Sequence, residues 1–111
     1  MRRQIGKYPG LKGKVALVTG SAKSIGRGIA LAFAEQGAAV VVADMNAEAG
    51  ERTAADIARR GGAAQFVKAD LRRREELNAA VERAVEIYGR LDVLVNNASV
   101  VEPLKPFLEM T

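Results

Sequence analysis

Four short apolar runs, each sharply bounded and separated from the next by a segment of helical period, constrain this chain more than any other feature. The first, Lys14-Val15-Ala16-Leu17-Val18-Thr19, is stopped by Gly20, too soon for a helix, and predicts a buried strand. Beyond the following loop, Ile25, Ile29, Ala32 and Phe33 recur at helical steps until Gly37, which predicts the first helix. Ala39-Val40-Val41-Val42-Ala43 is apolar without alternation, as in a strand covered on both faces, and ends at Asp44. Asn46 is placed to cap a second helix, with Glu48 in its first turn and Ala47, Ala54, Ile57 and Ala58 marking one face before Gly61-Gly62. A third strand is predicted from Ala64 to Ala69. Leu77, Ala80, Val81, Ala84, Val85 and Tyr88 then mark the clearest amphipathic helix of the chain, closed by Gly89, and Leu91 to Asn96 forms the fourth strand.

The order βαβαβαβ with short connections implies an α/β fold: a doubly wound parallel sheet with helices on both faces and strand order 3-2-1-4. Residues 1–111 read as a single domain, because 111 residues with 49% hydrophobic content suit one core and no repeat or linker divides them. Cysteine and histidine are both absent, which excludes a disulfide framework and a zinc site of Cys/His spacing, and no metal is expected. The basic stretch Met1 to Gly13 is followed by no apolar core of signal-peptide type, so the expected location is cytoplasmic. The longest apolar run, Ala38 to Ala43, falls far short of the ~20 residues that span a bilayer, and no membrane partner is expected. The net charge of +4 comes from cations interleaved with Glu51, Glu75, Glu76, Glu82 and Glu86, with few aromatics to stack bases, which argues against a nucleic-acid partner.

Chemistry is concentrated at the strand ends. Thr19-Gly20-Ser21-Ala22-Lys23-Ser24-Ile25-Gly26-Arg27-Gly28 joins the first strand to the first helix, where glycines admit a tight turn and a helix N-terminus offers N–H groups and partial positive charge to a diphosphate. The alternative is a glycine-rich turn that binds nothing. A P-loop is disfavoured, since Leu17 and Ala22 occupy the two glycine positions that would precede Lys23-Ser24. Asp44 closes the second strand about 20 residues past the turn, where an acid that accepts from both ribose hydroxyls belongs. Its charge opposes a 2′-phosphate and the next residue is Met45 rather than arginine, so NAD is favoured over NADP, with Lys23 pulling weakly the other way. Asp44 also suits a plain strand-end turn, Asp70 a helix start and Asn97 a turn.

Taken together, the glycine loop, Asp44, Asp70-Leu71 and Asn96-Asn97-Ala98-Ser99 resemble the classical short-chain dehydrogenase/reductase family, a Rossmann-type fold, from about Leu11 to Thr111. The resemblance maps the pattern T-G-x-x-x-G-x-G onto Thr19, Gly20, Ser24 and Gly26, with Ser24 in place of the central glycine. It implies cofactor contacts from Gly20, Ser24, Ile25 and Gly26, adenine contacts from Asp70 and Leu71, and a segment Asn97, Ala98 and Ser99 beside the cofactor ribose, with Ser99 where glycine is usual. Both serines add a side chain where backbone approaches ligand, which predicts weakened or rearranged contact.

The implied activity is hydride transfer between a nicotinamide cofactor and an alcohol or ketone, with this chain as the cofactor-binding portion. The family's catalytic serine and Y-x-x-x-K residues have no credible counterpart: Tyr88 is followed four positions later by Asp92, and the literal match Tyr8 to Lys12 precedes the first strand in a Pro-Gly segment. No catalytic residue is therefore assigned, and the isolated 111-residue chain is expected to be inactive and, with the fourth strand as an edge, to self-associate. The alternatives are a non-catalytic dinucleotide-binding or assembly module left by truncation, and a degenerate fragment without stable function.

Overall fold

In the computed structural model, residues 9–21 and 23–97 are described. A 3-10 turn, Pro9–Leu11, precedes β1 (Val15–Thr19), α1 (Ser24–Glu35), β2 (Ala39–Asp44), α2 (Ala47–Arg59), β3 (Ala63–Lys68), α3 (Arg74–Tyr88) and β4 (Val93–Asn96). The four strands form one parallel sheet in the order β3-β2-β1-β4, as the alternating pattern predicts.

Two apolar layers explain why the central strands carry no alternation. Val18, Val40 and Val42 face α1 and α2 through Ala30, Ala54 and Ile57. Leu17, Val41 and Ala43 face α3 through Ala80 and Ala84. Every residue of β1 is buried, so each position of that strand must be apolar or, like Thr19, hydrogen-bonded.

The helices differ from expectation in which residues touch the sheet. In α2 the buried positions are Ala49, Gly50, Thr53, Ala54 and Ile57, while Ala47 and Ala58 are exposed. The face is built from small residues because the helix lies close to β3: a carbon added at Gly50 would collide with the Phe66 ring, standing 3.1 Å from Cζ and nearer still to two other ring atoms. This helix, not α3, is the more sharply sided of the two. In α1, Gly26 and Ala30 are the buried positions and Ile25 is 72% exposed. On α3, Ala80 and Ala84 are buried but Val85 is 43% exposed.

Two strand boundaries also shift. The third strand begins and ends one residue earlier than expected, and the fourth starts at Val93 rather than Leu91. Asp92 explains the latter, because its backbone N–H donates to the Val15 carbonyl at 2.9 Å while its carboxylate accepts the Val15 N–H at 2.9 Å. A side chain thus substitutes for ladder backbone at that end of the sheet. Arg90 holds the same carboxylate at 2.8 Å.

Register aligns the other ends of the strands. Thr19 lies beside Ala43 on one side and Asn96 on the other, and Asp44 lies beside Lys68. The chain winds from β1 outward through β2 to β3, then returns through α3 to β4 on the opposite flank of β1. Connections therefore diverge between β1 and β4, the place where open α/β sheets form a crevice at their carboxyl ends.

Candidate functional site

The turn after β1 is held by hydrogen bonds that continue the sheet beyond its last ladder residue. Gly20 adopts a φ of 63°, and its N–H donates to the Ala43 carbonyl at 2.9 Å. The fully buried Ser21 hydroxyl donates to the Val18 carbonyl at 2.6 Å and accepts the Ala43 N–H at 3.2 Å. Thr19 performs the same service toward β4: its hydroxyl lies 3.3 Å from the Val95 carbonyl, 3.1 Å from the Asn96 side-chain oxygen and accepts the Asn97 N–H at 2.8 Å. In the sequence Thr19 opened the glycine-loop pattern without an assigned role, and Ser21 did not stand out as a site residue. The usable signal was a small polar side chain at the buried end of an apolar run.

Gly26 joins these parts. It is buried in the first turn of α1, and a carbon built on it would overlap the Gly20 carbonyl and stand 2.7 Å from Asn97 Nδ2. Gly20, Gly26 and Asn97 are thereby brought into one cluster. Ser24, at the central position of the loop pattern, has a φ of 56°, the one positive value among the described residues other than glycine. A side chain there bears a backbone strain that glycine would not. Ile25 is brought to the surface of the same turn. Helix α1 carries no side-chain N-cap and no acidic residue in its first turn, whereas α2 has both, with Asn46 accepting the Ala49 N–H and Glu48 beside it. The leading amides of α1 thus meet no anionic or capping side chain of the described residues.

Across the crevice, Gly20, Asp44, Met45, Ala69, Asp70, Leu71 and Arg72 line a cleft of about 210 Å³. This size suits one nucleoside portion of a longer ligand. A larger hollow of about 470 Å³ lies between the end of β3 and α3, sharing Ala69 with the cleft but none of the glycine turn or Asp44, and one of about 400 Å³ lies at the opposite end of the sheet. Asp44 Oδ1 accepts the Asn46 N–H at 2.9 Å, and its carbonyl accepts from Ala69 N–H at 3.1 Å. Asp70 is gripped by Arg72, whose Nε and Nη2 reach Oδ1 at 2.9 Å and Oδ2 at 3.0 Å and whose backbone N–H reaches Oδ1 at 3.1 Å. The Arg72 fork, then its amide, holds the Asp70 carboxyl below the usual aspartate range. Leu71 packs on the α3-side core.

Of the residues expected from sequence, the structure thus gathers Gly20, Asp44, Asp70 and Leu71 around the cleft and Gly26 and Asn97 behind the turn. Ala98, Ser99 and Tyr8 lie outside the described residues. Met45 and Arg72 are additional lining residues. Tyr88 is half-buried against the α3-side core and lines the hollow at the opposite end of the sheet rather than the cleft, and burial raises its phenol pKa.

A parallel α/β architecture with this strand order, a glycine turn at the crevice and acids at two strand ends defines a Rossmann-type fold. The chain belongs to the short-chain dehydrogenase family, whose model matches residues 14–111. It is 38% identical over 102 residues to 3beta-hydroxysteroid dehydrogenase 2 of Eggerthella lenta, covering 92% of this chain and 39% of that protein. It is 42% identical over 97 residues to 7alpha-hydroxysteroid dehydrogenase of Escherichia coli, covering 87% of this chain and 38% of that protein. A crystal structure of hydroxysteroid dehydrogenase from Escherichia coli superposes with a TM-score of 0.78 at 37% identity, over 89% of this chain and 45% of the other. The chain therefore spans about two fifths of the length of the curated relatives it matches. No helix among the described residues is long and apolar enough to cross a membrane.

Proposed function

We propose that this chain is the cofactor-holding portion of an NAD(P)-dependent oxidoreductase acting on an alcohol or ketone, and that it takes NAD in preference to NADP. The observation that carries the preference is Asp44 standing at the rim of the cleft with Gly20, Asp70 and Leu71. A carboxylate there accepts from a ribose diol and repels a 2′-phosphate. The uncapped first turn of α1, from Ser24 through Gly26, receives the pyrophosphate, Asp70 and Leu71 contact the adenine, and Asn97 stands beside the cofactor ribose, a role the resemblance also implies for Ala98 and Ser99. Bound nicotinamide supplies or accepts hydride. The chain's own residues bind and orient it, and turnover by the 111 residues alone is not expected, because no tyrosine-lysine pair lies at the cleft among the described residues.

Calorimetric titration with NADH and NADPH tests this reading. NADH binds more tightly, and Asp44→Ala narrows the difference. Equal affinities, or a preference for NADPH that persists in Asp44→Ala, refute it.

A second property is self-association, supported by the outer edge of β4, which has one strand neighbour among the described residues and leaves Val93, Leu94 and Val95 only partly covered. The same edge favours the alternative of an assembly module. Light scattering on the purified chain checks it, and a monodisperse monomer argues against pairing through this strand.

A further inference from the structure

Arg72 belongs to none of the family-like motifs, and as the first of three successive arginines it has the look of a solvated helix start. The structure gives it a different position. The turn at Asp70 folds it back, so that a backbone amide and two guanidinium nitrogens all close on one carboxylate. Its Nη2 also lies 3.9 Å from Met45 Sδ, on the far wall of the cleft that Asp44 and Gly20 share. A planar cation, hydrogen-bonded to Asp70 on one side, therefore reaches toward Met45 across the cleft.

We infer that Arg72 is a binding residue for the adenine end of the cofactor, its guanidinium plane serving as the surface on which the base stacks; this rests on the dinucleotide reading above. A guanidinium is flat and weakly hydrated, and it attracts the face of an aromatic ring in a way that a lysine ammonium does not reproduce. The unbranched Met45 side chain, 51% exposed, can rotate to admit the ring and then offers a polarizable sulfur to its edge. Because the charge of Arg72 is already matched by Asp70, it serves the base rather than a 2′-phosphate, which leaves Asp44 to decide between the two cofactors.

The test is a set of titrations with NADH, NADPH and ADP-ribose on the wild-type chain, Arg72→Ala and Arg72→Lys, with thermal unfolding of each as the fold control. Arg72→Ala is expected to weaken all three ligands by the same factor, roughly two- to five-fold, the effect of an exposed cation–π contact. Arg72→Lys is expected to behave like the alanine variant. Unchanged affinities, a lysine variant equal to wild type, or an NADH-to-NADPH ratio that moves with Arg72 each overturn the stacking role. Failure of the wild-type chain to bind any dinucleotide overturns the cofactor reading itself, before any variant is compared.

Discussion

Gly26 faces the Gly20 carbonyl so closely that a methyl group cannot be placed between them, and Asn97 Nδ2 closes the third side at 2.7 Å from where that carbon would be. The nearest obstacle is backbone, which cannot rotate away. Gly26→Ala must therefore push α1 off the end of β1, and it is expected to cost about 2–3 kcal/mol, as overpacked core positions do. Urea denaturation of the two proteins measures it, and a midpoint equal to wild type would show that the helix does not sit this close.

Ser24 presents the opposite case. Its left-handed φ of 56° costs a side-chain-bearing residue about 1–2 kcal/mol, against about 0.5–1 kcal/mol that glycine loses by its greater freedom when unfolded. The balance favours Ser24→Gly by roughly 0.5 kcal/mol, together with tighter dinucleotide binding if the turn receives a pyrophosphate. Ser24→Ala, which keeps the strain and loses the hydroxyl, separates the two effects. Weaker binding by both variants would assign the hydroxyl a ligand contact that outweighs its bulk.

Acid sensitivity follows from two arginine-held aspartates. The Arg72 fork lowers Asp70, and the Arg90 fork, followed by the Val15 amide, lowers Asp92. A carboxyl whose folded pKa lies below its unfolded value of about 3.9 contributes stability that is complete above that value and lost as pH falls through the folded pKa. Stability should therefore be level between pH 6 and 8, where the chain has no histidine or cysteine to titrate, and should fall below about pH 4. Asp92→Asn should make the acid decline shallower. An unaltered decline in that variant would mean that the Val15 contact does not depend on the charge. Both pairs are solvent-exposed, so the effect shrinks in high salt.

Gly50 and Phe66 should behave as a coupled pair. Gly50→Ala is expected to destabilise by about 1–3 kcal/mol, through overpacking against the ring. Combined with Phe66→Leu, the loss should be smaller than the sum of the single changes, a non-additivity typical of touching residues. Strict additivity in a double-mutant cycle would show that the helix accommodates the methyl group elsewhere.

The strand order and both apolar layers were legible because β1 and β2 are covered on two faces, which leaves only unbroken apolar runs as workable sequences. The face of α2 was legible only in part, since Gly50 and Thr53 are buried by close approach and by a hydrogen bond to the Ala49 carbonyl rather than by apolar character. Ile25 fits a helical period yet lies exposed in the first turn of α1, where Gly26 is the residue that turns inward. Asp44 was readable as a strand-end residue, Asp70 and Leu71 only through the family resemblance, and the sheet register brings those strand ends level. Arg72 was not, because its place depends on a local turn at Asp70 that no periodicity records.

The notch that Gly50 opens for the Phe66 ring has a consequence for how β3 finds its place. Among the described residues β3 is an edge strand with one strand neighbour, and a slip of one residue along β2 would cost it few backbone hydrogen bonds. Such a slip would turn Phe66 to the α3 side of the sheet and set Gln65 or Val67 against the notch in its place, neither of which fills it as the ring does. Ring and notch thus act as an index mark that admits a single alignment of the outermost strand.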